Sequence, residues 1–417
     1  MREPLPKSFC NLDRLLHAMT ARKLDAIVAT TPQNVFYLTG FNAIAHKSDE
    51  PRPYAVVLSR HAPGHPVMVL ADYYLATFLA QPTWVEDVRP FRAVMMPLDL
   101  PAARSDIERF IPAGAAGAPL AGARRNYAFD MVTAMRGAIE SLKLGRSRVA
   151  FDDPGFGMRL GIDTLALADG YDALMFARAV KTEPELRLLE RATRLNEAAI
   201  RRTIAAWQPG MRWRELAQAY ARAAVDLGGF VRDPGAMVWS HPRGADASIT
   251  LQTGFEDGPI DRGSHVMFDC HGTLDLYCWD GGKTWVAGGE PEGTGKRNAA
   301  ATASVAEELL AAMRPGARIS SLQTLARKAY RKAGLANADE AVMFFHGLGL
   351  SHMDIEQRSA DGKANGDWSL EKGMVVPLHL LVPGGERERY WLEEVAVVAE
   401  SGGRPLFSWG FGPLTDA

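Results

Sequence analysis

The sequence is 417 residues long, which predicts two or three domains rather than one. Hydrophobic residues make up 47% of it, charged residues make up 23%, and the formal net charge is −2, as is typical of a globular protein with a large core. This charge favours neither a nucleic acid nor a membrane surface as partner, so we expect a small-molecule substrate.

The three cysteines, Cys10, Cys270 and Cys278, show no spacing typical of a disulfide framework, which favours a reducing compartment. Residues 1–10 contain no apolar segment of the kind that signal peptides carry, and no run of about eighteen apolar residues is available to cross a bilayer. We therefore expect a cytoplasmic protein.

The first part of the chain alternates helix and strand patterns. Apolar residues recur with helical spacing in residues 12–23, and strand patterns occupy residues 25–29, 54–58, 67–70 and 147–153. The alternation predicts a mixed α/β domain.

Residues 41–53 lie between two of these strand patterns and are too polar for a core. We interpret them as a solvated loop, because connecting segments run over the surface. Within this loop, His46 and Arg52 are candidates for substrate contact. Residues 97–122 are rich in Ala, Pro and Gly and do not indicate a defined element.

A domain boundary is predicted near residues 179–181. Thr182 and Glu185 form a capping box with a proline in the first turn, and an apolar face continues through the following residues, which predicts a long helix. We expect one domain at residues 1–178 and a second at residues 179–417.

The second domain contains an internal repeat. The segment 207–216 resembles the segment 313–322, and each precedes an Ala-rich helix pattern that ends at Gly. Two similar halves would build a pseudo-symmetric domain, with a site at their junction. The residues that match in register are Pro209/Pro315, Gly210/Gly316, Arg212/Arg318 and Leu216/Leu322.

Residues 266–285 predict a β-hairpin that carries Asp269 near one end and Asp280 near the other. His271 follows Asp269 by two residues, so both side chains should lie on the same face of the strand. Asp269 stands in an apolar run, where an unpaired carboxylate would cost several kcal/mol. A positive partner should therefore face it.

Further polar residues stand in apolar strand patterns downstream. His346 precedes two closely spaced glycines, His379 lies within a strand pattern, and Glu393 and Glu394 begin another. Each alone is also explained as a hydrogen-bonded core histidine or as a glutamate at a sheet edge. Together with the hairpin acids they form a set of carboxylates and imidazoles that suits Zn, Mn, Fe or Co.

The order of these residues resembles the creatinase, prolidase and aminopeptidase P family. An Asp is followed eleven residues later by a second Asp, then by HGLG, a GMV strand and an acidic pair before a Val-rich strand. The segments KTEPELRLLERATRLNEAAI and PQNVFYLTGF are also similar to that family. The resemblance implies an α/β N-terminal domain and an α+β pita-bread catalytic domain with pseudo-two-fold internal symmetry.

The resemblance also implies a set of metal ligands: Asp269, Asp280, His346 and Glu393. A fifth ligand, which is Glu in the family's peptidases, falls on His379. In the family's dinuclear sites the first Asp serves one ion, the second Asp and the last Glu bridge, and the other two ligands serve the second ion. Because the exchange at His379 removes one negative charge, we expect one tightly bound divalent ion, Zn, Mn, Fe or Co, with a second weak or absent.

Other departures from the family bear on catalysis and substrate binding. The family's His before the hairpin falls near Ser248, although His241 is close, and His352 lies one residue short of the second expected His position. Lys283 replaces an Arg and is a candidate for substrate binding. His271, which the usual motif lacks, is a candidate extra ligand or catalytic base.

These features predict a metal-dependent hydrolase of a C–N bond, amide, peptide or amidine-like, in a small substrate. Glu393 is the candidate to orient the attacking water, and His352 or His241 is the candidate general acid. The alternatives are a metal-dependent lyase on a small carboxylate such as dimethylsulfoniopropionate, and a non-catalytic binding protein with the same fold. The resemblance further implies a homodimer.

Overall fold

The structure is a computed structural model, which describes residues 9–42, 53–81, 83–93, 99–163, 165–239, 258–354 and 366–415, with residues 232–239 described by backbone alone. Of the predicted site residues, His46, Arg52 and His241 lie outside these ranges. The chain divides into two compact units, Met1–Arg178 and Ala179–Ala417. Within the described residues, every helix is too short or too polar to cross a membrane.

The first unit is built on a mixed six-stranded sheet with strand order β4-β3-β2-β1-β5-β6. Its short apolar strands are fully buried in the centre, as the sequence pattern predicts. The strands are β1 (Ala26–Ala29), β2 (Tyr54–Ser59), β3 (Val67–Ala71), β4 (Asp87–Phe91), β5 (Arg148–Phe151) and β6 (Ala166–Asp169).

Helices accompany this sheet along the chain. The amphipathic pattern at the start of the chain forms a helix whose first turn is capped by the side chain of Asn11, which accepts a hydrogen bond from the Arg14 amide. The helices are α1 (Leu12–Ala21), α2 (Pro32–Thr39), α3 (Leu75–Leu79), α4 (Ala118–Asn126), α5 (Met131–Ser141), α6 (Pro154–Arg159) and α7 (Tyr171–Ala179).

The second unit contains an antiparallel sheet with strand order β11-β12-β13-β10-β8-β7, to which β9 and β14 add at the sides. Its helices are α8 (Glu183–Ala205), α9 (Trp213–Asp226), α10 (Gly293–Ala312) and α11 (Ile319–Lys332). Its strands are β7 (Phe230–Trp239), β8 (His265–Leu274), β9 (Tyr277–Trp279), β10 (Gly282–Val286), β11 (Val342–Phe345), β12 (Val375–Val382), β13 (Tyr390–Ala399) and β14 (Gly402–Pro405).

The predicted internal repeat is present as two halves, each with two helices followed by strands, which meet where β10 pairs with β13. Equivalent backbone bonds open the second helix of each half. The Trp213 amide donates to the Gly258 carbonyl at 3.1 Å, and the Ile319 amide donates to the Trp368 carbonyl at 3.1 Å. This correspondence confirms the pseudo-two-fold arrangement.

The repeat places Asp269 and His379 at equivalent positions. Each lies six residues after a glycine with a left-handed backbone, Gly263 at φ 81° and Gly373 at φ 85°. Each also lies on the middle of the three main strands of its half, β8 or β12. Each half therefore presents one polar side chain from the equivalent strand position.

The helices cover one face of the sheet, and the predicted metal ligands on the strands point to the other. Phe268 on β8 and Leu378 on β12 pack against the helices in the two main cores of the unit. Because successive side chains of a strand alternate between faces, the neighbouring Asp269 and His379 project from the opposite face. A small apolar cluster of Met267, Leu381 and Trp391 lies on that opposite face.

The hairpin of β8 and β9 is closed by a tight turn in which Asp275 and Leu276 both have positive φ, 50° and 70°. Two consecutive positive φ values are typical of the type I′ hairpin turn. Gly272 packs against the buried ring of Trp279, and a Cβ atom at Gly272 would lie 2.0 Å from Cζ2 of that ring. Only glycine therefore allows this approach.

The predicted capping box at the start of α8 is formed, with the Thr182 amide donating to Glu185 Oε2 at 2.8 Å. The other carboxylate oxygen of Glu185 accepts a hydrogen bond from the Tyr277 hydroxyl at 2.9 Å. Glu185 is 1% exposed, and burial raises its pKa from 4.5 to about 7. This residue therefore links the first helix of the second unit to the hairpin.

Replacing Gly272 by Ala should lower the free energy of unfolding by about 2 kcal/mol or more, because the new methyl group overlaps a fully buried indole. Gly289→Ala is the matched control, since a Cβ atom there has no neighbour within 4 Å. It should change the free energy by no more than about 0.5 kcal/mol. Urea unfolding of the two variants measures this, and equal midpoints would contradict the packing described.

Glu185→Gln should change how stability depends on pH. The folded protein keeps a proton on Glu185 that the unfolded chain has released, so this stabilising contribution is complete below pH 4.5 and is lost as pH rises through about 7. Relative to the Gln variant, the native chain should lose up to about 3 kcal/mol between about pH 4 and about pH 8. Parallel pH profiles for the two proteins would exclude this role.

Candidate metal centre

Four of the predicted ligands converge on the face of the sheet opposite the helices. Asp280 lies in the bend between β9 and β10, and His346 directly follows β11. His379 on β12 is the cross-strand partner of Glu393 on β13, and Gly282 pairs with Glu393 from the other side. The antiparallel register thus brings together residues from both halves of the repeat.

These four side chains form one compact group. One ligand atom from each of Asp280, His346, His379 and Glu393 lies within 4.8 Å of those of the other three, and all four residues are buried. His346 Nε2 is 3.4 Å from Asp280 Oδ2, and His379 Nε2 is 2.8 Å from Glu393 Oε1. The group offers two nitrogen and two carboxylate ligands.

The backbone orients both histidines of the group. His346 Nδ1 is 3.0 Å from the Gly347 carbonyl oxygen, and His379 Nδ1 is 3.3 Å from the Phe344 carbonyl oxygen. The His379 ring also stacks on the Phe344 ring, with centroids 3.9 Å apart. A carbonyl bonded to one ring nitrogen leaves the other nitrogen free to bind a metal, and here both Nε2 atoms face the acids.

Several polar atoms of the group are buried without a hydrogen bond. Among the described residues, Asp280 Oδ2, His346 Nε2 and both Glu393 carboxylate oxygens have no partner of acceptable hydrogen-bond geometry. Leaving such atoms buried and unpaired costs about 1–3 kcal/mol each, and more where they are charged. A divalent cation would satisfy all of them, and an N2O2 donor set suits Zn, Mn, Fe or Co. The residues therefore fit one ion.

The electrostatics of the carboxylates reflect their crowding. Burial, together with Asp280 and Asp269, raises the pKa of Glu393 well above its usual value. Burial also raises the pKa of Asp269 to about 6, although His271 opposes the rise. Burial alone would raise the pKa of Asp280 as well, but His271 and His352 hold it well below the usual range.

The two histidines of the group are shifted toward their neutral form. Burial lowers the pKa of His346, and burial together with the neighbouring His346 lowers the pKa of His379 well below its usual value. Neutral imidazole is the form that binds a metal.

A second group of side chains surrounds Asp280 on its outer side. His271 Nδ1 is 2.7 Å from Asp280 Oδ1, and His271 Nε2 is 3.2 Å from Asp269 Oδ1. His352 Nε2 is 2.9 Å from Asp280 Oδ2, and the His352 side chain is 45% exposed. The rings of His271 and His352 meet edge to face, with centroids 4.8 Å apart. His352 therefore lies at the solvent side of the site.

Two family profiles match the chain. The profile of Metallopeptidase family M24 matches residues 187–400, just over half of the chain. The chain belongs to metallopeptidase family M24. The profile described as Creatinase/Prolidase N-terminal domain matches residues 11–145 of this M24 chain. The predicted family is thereby confirmed, and the chain is a metallohydrolase of the M24 peptidase and creatinase type.

Solved structures share the fold of this M24 chain over almost its whole length. An X-Pro aminopeptidase from Thermotoga maritima MSB8 is 18% identical, with a TM-score of 0.67, and the match covers 97% of this chain and 99% of that one. A prolidase from Pyrococcus furiosus is 15% identical, with a TM-score of 0.65 and coverage of 94% and 99%. The dipeptidase PepE from Mycobacterium ulcerans is 20% identical, with a TM-score of 0.66 and coverage of 97% and 96%. No curated protein matches the sequence significantly.

Lys283 lies away from the four-residue group. Its ammonium group donates to three carbonyl oxygens of the C-terminal segment, those of Trp409, Gly410 and Gly412, at 3.2, 2.9 and 2.6 Å. The side chain is buried, and its three N–H donors are all used. The prediction that Lys283 contacts the substrate therefore requires correction: its position in this M24 chain is structural.

Sequence reasoning missed the residues that hold the loop between His346 and His352. Lys181 Nζ is 3.4 Å from Asp354 Oδ2, and both side chains are at most 1% exposed. The Asp354 amide donates to the Gly347 carbonyl at 2.9 Å. The only local indication of this contact in the sequence is the pair of glycines after His346, since glycines allow a close backbone approach. The partner of Asp354 lies far away in the chain and has no local signal.

Chelator-treated protein should gain thermal stability when Zn²⁺, Mn²⁺ or Co²⁺ is added, because the ion binds the folded state. At a free ion concentration a hundredfold above Kd the gain is about 2.7 kcal/mol. His379→Ala should lose most of it, since one of two nitrogen ligands is gone, whereas His61→Ala, at a side chain 62% exposed in the first unit, should keep it. An equal gain in both variants, measured by calorimetry, would contradict the proposed ligand set.

Proposed function

We propose that this chain is an M24 hydrolase that uses one tightly bound divalent ion to cleave a C–N bond, amide, peptide or amidine-like, in a small substrate. The observation that carries this proposal is the buried group of Asp280, His346, His379 and Glu393, whose ligand atoms lie within 4.8 Å of one another. These four residues would hold the ion.

When bound, such an ion would polarise a carbonyl or amidine group and lower the pKa of a water toward ~7. The chain's residues supply the remaining requirements. Glu393 is fully buried, with Oε1 2.8 Å from His379 Nε2, and would orient the attacking water. Trp391 and Met267 form an apolar wall on the same face, which strengthens the electrostatic interactions there.

His352 is the candidate proton donor to the leaving nitrogen. Its Nε2 atom is 2.9 Å from Asp280 Oδ2, and nearly half of its side chain is exposed. A substrate that approaches the four-residue group would therefore meet this imidazole. The His352 imidazole is also suited to stabilise a developing oxyanion.

The substrate class rests on two supports. The similar structures are described as an X-Pro aminopeptidase, a prolidase and a dipeptidase, which favours a small peptide or acylated amine. His379 at the position of a family Glu favours a small molecule other than an ordinary Xaa-Pro peptide. We further propose a cytoplasmic location, in keeping with three buried free cysteines, and a homodimer, from the family resemblance.

Glu393→Gln should lower kcat/KM by at least about a hundredfold, because the amide cannot take a proton from the attacking water. Glu394→Gln is the matched control: Glu394 lies next in the chain on the other face of the sheet, where Oε1 accepts bonds from three backbone amides. It should retain most of the activity. Circular dichroism checks that both variants are folded, and an active Glu393→Gln enzyme would remove this residue from the mechanism.

Hydrolysis and elimination differ in their products. In water enriched in ¹⁸O, hydrolysis places the label in the product, whereas a lyase leaves an alkene without label. We expect the label in turnover assays across dipeptides, acyl amino acids and guanidino compounds. An alkene from a small carboxylate would instead support the lyase alternative, for which His352 is the candidate base.

A further inference from the structure

His271 stands between two acids of the site. It follows Asp269 by two residues on β8, so both side chains project from the same face of the sheet. The pairing of Gly272 with Trp279 brings the bend that carries Asp280 beside it. The His271 ring reaches both acids, with Nε2 3.2 Å from Asp269 Oδ1 and Nδ1 2.7 Å from Asp280 Oδ1.

A metal ion that joined these two acids would need both carboxylates turned toward one point, because metal–oxygen distances are about 2.0–2.2 Å. Here each Oδ1 atom lies against a different nitrogen of the imidazole ring instead, that of Asp269 against Nε2 and that of Asp280 against Nδ1. Among the described residues, Asp280 belongs to two groups whose ligand atoms lie within 4.8 Å of one another, and Asp269 belongs to neither. The ring therefore lies where such an ion would have to lie.

The alternative role for His271 is that of a ligand to a second ion, together with Asp280 and His352. A metal-binding histidine directs one ring nitrogen to the ion and the other to an outer partner such as a carbonyl or carboxylate. An ion at the second position of the family's dinuclear sites would be bound by both Asp269 and Asp280, and these are the two carboxylates that the ring nitrogens of His271 contact. This geometry favours a ring that replaces the ion over a ring that binds it.

The residue at position 379 acts in the same direction. A histidine in place of the glutamate that the family's peptidases carry leaves one negative charge fewer beside the site, which reduces the need for a second cation.

We propose that the side chain of His271 occupies the second cation position of this site, between Asp269 and Asp280, so that the enzyme binds one divalent ion instead of two. The proposal builds on the proposed function, because it assumes that the group around His346 and His379 holds the first ion. The His271 ring then takes the place of the second metal ion, and Asp269 binds no metal.

The test is the metal content of the full-length protein, purified without chelator, loaded with Mn²⁺, Co²⁺ or Zn²⁺ in separate samples, and dialysed. The native chain should hold one equivalent, and His271→Ala should hold two, because Asp269 and Asp280 become free to share an ion. The double variant H271A/D269N should return to one equivalent. His352→Ala is the matched control: it also removes an imidazole from Asp280, but from a different side, and should stay at one.

Two equivalents in the native chain would overturn the proposal, and so would a folded His271→Ala protein that gains no ion. Asp269→Asn in the native background provides a test that needs no change at His271. It should keep the single equivalent with unchanged affinity in titration calorimetry, and loss of an equivalent would show that Asp269 binds metal. A native chain without any ion would count against the proposed function, while the difference of one equivalent between it and His271→Ala would still decide the role of His271.

Discussion

The site depends on carboxylates that are buried close together, away from water. Asp269, Asp280 and Glu393 lie on one face of the second sheet and are exposed by 6% or less. Carboxylates so placed cost several kcal/mol each unless a cation or a hydrogen-bond donor faces them. The surrounding imidazoles and a divalent ion are the partners this pocket can offer. The same electrostatic requirement therefore explains why imidazoles surround these acids and why the site would bind a metal ion.

The repeat explains how one sheet collects these groups. In each half, the side chains of an apolar strand alternate between the helices and the open face of the sheet. A polar residue at a position on the open face therefore lies in the site. Asp269 and His379 occupy equivalent places and differ in charge. The two halves consequently share a backbone arrangement but differ in their side chains. The half that carries His379 supplies three of the four residues that would hold an ion, and the half that carries Asp269 holds His271.

Local pattern predicted the elements and much of the site, and distant contacts account for the rest. Strand alternation is enough to place Asp269 and His271 on one face. The meeting of Asp280 with His379 and Glu393 depends on the register of strands some hundred residues apart, which the family resemblance supplied. The misjudged role of Lys283 has the same origin, since the carbonyls that receive its ammonium lie 126 to 129 residues further along the chain.

The seam between the two halves is short. Strands β10 and β13 pair only through Gly282 with Glu393 and Lys283 with Leu392, whereas β12 and β13 pair along their length. Asp280 lies on one side of this seam, and His346, His379 and Glu393 lie on the other. A bound ion would thus act as a cross-link where backbone pairing is weakest and would join the two halves into one cooperative folding unit.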